Sequence, residues 1–244
     1  MGSLVAATAS YLEARSRGGE WLVRMEDLDP PRCRAEAADE ILRALHAYGF
    51  VWDGPVLYQS TRNAAYQATL EALSAWTYPC GCSRQDECRC RTGLTAGRPA
   101  RAIKIRAPED IGDFVIRRAD GLYAYQLAVV VDDAAQGVTD VVRGADLLDS
   151  TPRQMFLHRC LGLPIPGYVH VPLVLDASGD KLSKQTMAPA LPLDDPAPLL
   201  RRALTFLAHP PPPDCSLAEL WAWAIPHWDL RRLTYGTRDT SGLC

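Results

Sequence analysis

Gly179-Asp180-Lys181-Leu182-Ser183-Lys184-Gln185 decides how this chain reads. Two lysines flank a small hydroxyl residue, and a Gly-Asp pair stands just before them. Gly and Asp let a loop bend, and lysine is a compact, flexible cation that can follow phosphate charge as it moves. The stretch therefore reads as a loop that closes over a polyphosphate. Taken alone, Lys-x-Ser-Lys fits many solvated surfaces equally well, so the surrounding segments have to arbitrate.

The 244 residues suffice to bury a full core, as one large domain or as a domain with an insertion. Charged residues make up 23% and hydrophobic ones 48%, an ordinary globular composition. A net charge of −3 argues against bulk attraction to nucleic acid but leaves room for local basic patches. Arg15/Arg17, Arg117/Arg118 and Arg201/Arg202 are such clusters, each of which also reads as a solvated face. No run approaches the ~18 apolar residues needed to span a membrane, and no basic-then-apolar signal segment opens the chain. Eight unevenly spaced cysteines without an export signal point to free thiols in a reducing cytoplasm.

Along the chain, Leu4, Ala7, Tyr11 and Leu12 recur at helical spacing over 3–17, and Gly18-Gly19 stops that helix. Trp21 to Met25 is a short apolar strand candidate, and a helix is expected from about Ala35 to Tyr48. Val115-Ile116, Val138 to Val142 and Tyr168 to Leu175 supply further strands. Residues 124–133 stay ambiguous: three valines favour a strand, while the family resemblance described below favours a helix. Pro210 to Pro213 make a stiff break before a Trp-rich helix at 216–225. Helix and strand alternating at this spacing indicate an α/β unit around a parallel sheet.

Cys80-Gly-Cys82 and Cys88-Arg-Cys90 place four of the eight cysteines within eleven residues. Four thiolates suit tetrahedral zinc, and a closed set of four protein ligands is structural rather than catalytic. The polar residues Ser83 to Glu87 argue against a buried setting, and Asp86 is a weaker candidate ligand. Cys33, Cys160, Cys215 and Cys244 show no spacing with a role, and the five histidines read as structural.

Three further segments complete the pattern: Trp21-Leu-Val-Arg-Met-Glu-Asp-Leu-Asp-Pro-Pro-Arg32, Gly121-Leu-Tyr-Ala-Tyr-Gln-Leu-Ala-Val-Val-Val-Asp-Asp133, and Gly137-Val-Thr-Asp-Val-Val-Arg-Gly-Ala-Asp-Leu-Leu148. In this order, and followed by Lys-Leu-Ser-Lys, they resemble the catalytic domain of class I glutamyl-tRNA synthetases. The match is nearest to their short paralogues, the glutamyl-queuosine tRNA(Asp) synthetases. It runs from residue 2 to about 207 and fades from about 208. The resemblance implies an α/β, Rossmann-like class I catalytic domain with an inserted zinc-binding, acceptor-type subdomain and no anticodon-binding domain. The expected organisation is a first half of the catalytic domain over 1–75, the insertion over 76–120, the second half over 121–207 and a tail over 208–244.

The implied reaction is ATP-dependent activation of glutamate to glutamyl-adenylate, with Mg2+, and transfer to the queuosine base of tRNA(Asp). By the same resemblance Glu26 binds the substrate ammonium, Tyr125 contacts the substrate and Arg143 belongs to the glutamate pocket. Lys184 supplies the cation at the reacting phosphate, with Lys181 and Ser183 on the same ATP-binding loop. Asp27, Asp29, Asp132 and Asp133 hold arginines or ribose hydroxyls, or cap helices. The paralogues carry Cys-x-Cys, a tyrosine and a last cysteine before Arg-x-Gly, which Cys90-Arg91-Thr92-Gly93 fits; Cys88 stands where the tyrosine would. The partners implied are glutamate, ATP and tRNA(Asp), with no membrane, for a cytoplasmic monomer.

The family's first strand, Ala-Pro-Ser-Pro turn and signature histidine precede the point that Met1-Gly2-Ser3-Leu4 matches. The expectation is a start set too far downstream or a truncated relic. Two other readings stand beside the enzyme: an inactive remnant that binds tRNA or nucleotide, and a discriminating glutamyl-tRNA synthetase. A pure zinc adaptor leaves the lysine loop unexplained.

Overall fold

The computed structural model describes residues 1–29, 36–82, 88–94, 97–174 and 191–233. Helix α1, Gly2–Ser16, buries Leu4, Val5, Thr8, Ala9, Tyr11 and Leu12, the face that its apolar spacing marks. It leads into β1, Arg24–Met25, where only two residues of the expected Trp21–Met25 strand pair. After α2, Ala37–Ala47, comes β2, Leu57–Tyr58, which runs parallel to β1. Gly49 joins the two with a φ of 76°, and a Cβ there would stand 3.0 Å from the Trp221 indole nitrogen. The turn therefore needs glycine on two counts.

Helix α3, Asn63–Ala72, precedes an antiparallel sheet of β3, Thr77–Cys80, β4, Ala102–Ile105, and β5, Phe114–Arg117, in that spatial order. The ambiguous segment is helical: α4, Tyr125–Gln136, ends on left-handed Gly137. Its valines lower helix propensity, but Leu127 to Asp133 are all buried, and tertiary packing overrides the weak local preference. Strand β6, Asp140–Gly144, then pairs in parallel with β7, Gly167–Val171, across α5, Thr151–Leu161. Helices α6, Ala197–Phe206, and α7, Leu217–His227, complete the described chain.

Of the described residues beyond 208, Leu220, Trp221, Ala224, Trp228 and Leu233 belong to the core. Ser216 and Glu219 form a reciprocal capping box that starts α7. Trp221 packs edge-on to Tyr11 and Phe50, with ring centroids 4.9 and 5.0 Å away, and its indole N–H donates to the Tyr48 carbonyl at 2.9 Å. Trp228 donates to the Glu13 carboxylate on α1 at 2.8 Å and stacks on His209. Among the described residues no helix is long and apolar enough to cross a membrane.

A second core joins α3, α4 and α5 to β4 and β5. At its edge Asp132 is fully buried and accepts from Gln59 at 2.9 Å, Arg62 at 3.0 Å and the Tyr66 hydroxyl at 2.6 Å. This carboxylate ties α4 to the segment after β2 and has no ligand role in this geometry. Asp132→Ala should strand those donors and lower unfolding free energy by about 3–5 kcal/mol. Urea denaturation with an unchanged m-value is the measurement; a change within 1 kcal/mol would refute the assignment.

Candidate active site and metal centre

A cleft of about 540 Å³ opens between β1 and β6, with Arg24, Glu26, Asp133 and Gln136 among its lining residues. Arg24 is the hub. Its Nη1 donates to Asp133 at 2.8 Å and Gln136 at 3.0 Å, and Nη2 reaches Glu26 at 3.5 Å. The short pair to Asp133 holds the arginine, and the long one leaves Glu26 facing the cleft. Burial raises the Glu26 pKa, Arg24 opposes that shift, and Asp133 and Asp132 add to it. Asp133 is raised in the same way, burial outweighing Arg24. Asp27, by contrast, accepts from the Ser60 N–H and hydroxyl, and Asp29 pairs with Arg118.

Arg143, on β6, is 8% exposed and spends all its donors inside the protein. Nη1 donates to Gln154 at 2.6 Å and Tyr125 at 3.4 Å; Nη2 donates to Thr151 at 2.8 Å and the Leu147 carbonyl at 3.3 Å. Nε points at His170, 3.4 Å away, and the guanidinium lies 5.0 Å over the Tyr168 ring. Every one of these partners is neutral or, for His170, a neutral-capable imidazole already bonded to Thr151 at 2.9 Å. Among the described residues no carboxylate touches this buried cation. A buried charge ordinarily has a counter-charge in contact; among the described residues Asp133 feels the Arg143 charge only from beyond contact distance. The Tyr125 hydroxyl pKa is raised by burial and then by the Glu26 charge, with Arg143 opposing.

Glu26 follows β1, Arg143 lies near the end of β6 and Tyr125 begins α4. The structure thus gathers the three at the carboxyl ends of the parallel strands, where α/β sheets bind ligands. Lys181, Ser183 and Lys184 lie outside the described residues. Gln154, Thr151 and His170 are site residues that the sequence reading missed. They carry no motif and acquire a role only because α5 and β7 pack beside β6.

The cysteines converge as expected. The Sγ atoms of Cys80, Cys82, Cys88 and Cys90 all lie within 4.8 Å of one another. Cys80 and Cys88 are 3.6 Å apart and Cys82 and Cys90 3.4 Å, too far for disulfides and near the ~3.8 Å edge of a tetrahedron with ~2.3 Å Zn–S bonds. One expectation fails: Cys80 and Cys90 are buried, packed with Tyr78, so the polar residues after Cys82 do not keep the cluster at the surface. Burial alone would raise Cys88, yet the Cys90 N–H, the neighbouring thiols and Lys104 bring it down to about 7. Cys82 is pushed up to about 12, first by its bond to Cys90 and then by burial. Such a set of thiols, with one ready to ionise, fits a divalent soft cation. Asp86 lies outside the described residues, as do Cys33 and Cys244; Cys215 bonds to proline carbonyls.

The arginine pairs are largely internal. Arg15 is 2.8 Å from Asp53, Arg118 pairs with Asp29, and Arg201 bonds to the Pro212 carbonyl.

Comparison with known proteins agrees with this architecture. The family "tRNA synthetases class I (E and Q), catalytic domain" matches residues 1–100 and 100–192. A Glutamyl-Q tRNA(Asp) synthetase of Chromobacterium violaceum is 52% identical, across 96% of this chain and 91% of the relative. One of Thiobacillus denitrificans is 50% identical across 96% and 90%. Among solved structures, a glutamate tRNA ligase from Elizabethkingia meningosepticum in complex with its amino acid shares the fold, with TM-score 0.75 and 20% identity. That likeness covers 97% of this chain but only 63% of the ligase, less than two thirds of its length. The chain belongs to the glutamyl-Q tRNA(Asp) synthetases, within the class I glutamyl- and glutaminyl-tRNA synthetase catalytic-domain family.

Proposed function

We propose that this chain activates glutamate with ATP and transfers it to the queuosine base of tRNA(Asp). The observation that carries the reading is the buried Arg143 guanidinium, held by neutral groups and, among the described residues, with no carboxylate in contact. Glutamate supplies that anion through its side chain, and its ammonium then faces Glu26 across the end of the cleft. The three long contacts of Arg143, to Tyr125, His170 and Leu147, are the ones a carboxylate would displace or join. Its two short ones, to Gln154 and Thr151, hold the guanidinium plane fixed for that encounter. The 52% identity to a Glutamyl-Q tRNA(Asp) synthetase favours this reading over a discriminating glutamyl-tRNA synthetase.

Adenylation asks little covalent help of the protein. The substrate carboxylate attacks the α-phosphate of ATP in line, and pyrophosphate leaves. Positioning and cations at the developing charge carry the step. Lys184 takes the role of the cation at the reacting phosphate, Lys181 supports it and Ser183 binds on the same loop, with Mg2+ on the phosphates. Residues 76–120 form the insertion, and Cys80, Cys82, Cys88 and Cys90 hold a structural zinc there. The metal would pin the ends of the segment between β3 and β4 without taking part in the reaction. The chain works as a cytoplasmic monomer.

Three measurements test the assignment. Lys184→Ala should lower glutamate-dependent ATP–pyrophosphate exchange at least 100-fold with the circular dichroism spectrum unchanged, since one preorganised donor is worth roughly 3 kcal/mol; unaltered exchange removes Lys184 from the mechanism. Glu26→Gln should raise KM for glutamate roughly 10- to 100-fold, the size of a lost charged hydrogen bond, while KM for ATP holds. Glu26 must be ionised to bind ammonium, and its pKa is raised. In the wild type, KM for glutamate should therefore climb as pH falls, from a value above the ordinary ~4.3 of a glutamate side chain, and Glu26→Gln should abolish that limb.

Zinc analysis of the purified chain should find one ion, and Cys82→Ser should lose it and lower Tm by several degrees, at about 2–4 °C per kcal/mol for a chain of this size. A metal-free wild type as stable as the loaded one would overturn the zinc assignment.

A further inference from the structure

A chain of side-chain amides runs behind Arg143, between the first turns of α5 and α4. Gln154 Oε1 accepts from Arg143 at 2.6 Å, and its Nε2 donates to Gln126 Oε1 at 3.0 Å. The Gln126 Nε2 in turn donates to the Ser150 hydroxyl at 3.0 Å. Gln126 is the second residue of α4, while Ser150 caps α5 and Gln154 lies one turn into it. One amide from α4 therefore bridges successive turns of the neighbouring helix. Gln154, at the centre of the chain, is fully buried.

Each link fixes the direction of the next. A guanidinium only donates, so the amide beside it must present its oxygen. The Gln154 NH2 is then turned toward Gln126, whose oxygen accepts it and whose own NH2 is left for Ser150. The Gln154 amide also acts on the Tyr125 hydroxyl. Burial raises the Tyr125 pKa most and Glu26 next, while Arg143 and then the Gln154 amide draw it down. A neutral amide draws a phenol down only by donating to it, so an N–H of Gln154 faces the Tyr125 oxygen. Arg143 Nη1 donates to the same oxygen at 3.4 Å. With both protein groups donating to that oxygen, the Tyr125 O–H is left to donate elsewhere. Among the described residues no acceptor takes that proton.

We infer that Gln126 and Gln154 are positioning residues that set the selectivity of this pocket for glutamate over glutamine. The chain keeps Gln154 an acceptor toward Arg143 and a donor toward Tyr125, so Arg143 and Tyr125 both offer donors to the ligand. A carboxylate accepts from both. The amide of glutamine brings one oxygen and one NH2, and its NH2 meets a donor. A buried donor left facing a donor loses its hydrogen bond and keeps its desolvation cost. The inference rests on the glutamate pocket proposed for Arg143 and Tyr125, and it adds the residues that choose the ligand.

Isothermal titration calorimetry of the full chain with L-glutamate and with L-glutamine reads this selectivity apart from the reaction. The wild type should bind glutamate at least roughly 100-fold more tightly. Gln126→Leu removes the acceptor that holds the Gln154 NH2. It should lower that ratio about tenfold, the size of one buried hydrogen bond left unmade, with ATP affinity unchanged. Gln126→Glu keeps the acceptor, since Ser150 can donate in its turn, and should restore the ratio to within about threefold of wild type. Gln154→Glu only accepts, so it takes the Arg143 charge and the Tyr125 proton for itself. It should lower the ratio at least roughly 100-fold without lowering Tm, because the new carboxylate pairs with the buried cation. If that variant does not fold, the two substitutions at half-buried Gln126 decide alone. An unchanged ratio in Gln126→Leu would overturn the inference. So would a Gln126→Glu as unselective as Gln126→Leu, since the loss would then be one of packing. A wild type that binds glutamate no better than glutamine would instead overturn the pocket itself, and the amide chain's role with it.

Discussion

Arg143 is a permanent cation inside the protein, and its surroundings are built from neutral groups. Gln154 and Thr151 hold the guanidinium at short range from α5, His170 backs it from β7, and Tyr168 lies beneath it. Among the described residues this leaves the desolvated charge without a carboxylate in contact, Asp133 acting on it only from farther off, and such a state costs free energy. In the reading proposed above, that cost is the basis of recognition: the site is organised before glutamate binds, and its carboxylate would complete it. Helix α5 reaches the guanidinium because it is the crossover that connects β6 to its parallel neighbour β7.

The second charged group is handled differently. Arg24 is neutralised at short range by Asp133, and this leaves Glu26 on the longer arm, raised in pKa and open to the cleft. Two arginines thus play opposite parts: among the described residues Arg24 has a carboxylate in contact, and Arg143 has only uncharged hydrogen-bond partners. The fully paired Asp132, one residue before Asp133, belongs with the scaffold. Adjacent aspartates on a helix point in directions about 100° apart, which is why one closes a structural network and its neighbour reaches the site.

The cysteine cluster and the carboxyl-terminal helices extend the same separation of scaffold from site. Four thiols gather at one end of the antiparallel sheet, and two of them are buried with Tyr78. Residues after 208, where the family resemblance fades, pack Trp221 and Trp228 on α1. Large aromatic surfaces with a hydrogen-bonding edge suit such a seam, since they bury area while donating to the Tyr48 carbonyl and the Glu13 carboxylate.

The order of the motifs by itself determined the α/β class, the family and the grouping of the four cysteines, and it singled out Glu26, Tyr125 and Arg143 as candidates. Those follow from residue type and local spacing, which a linear chain displays directly. Helix α1 and the strands β6 and β7 were legible for the same reason, through apolar periodicity. Only the tertiary structure decided that 124–133 is helical, because burial on most sides overrode the β preference of its valines. It alone brought Gln154, Thr151 and His170 to Arg143 and divided Asp132 from Asp133, since these depend on which elements pack together. It alone placed two cysteines in the interior and opened a cleft between two parallel pairs. Contacts between residues a hundred positions apart, such as Arg24 with Asp133, leave no local trace, because no periodicity or spacing encodes them.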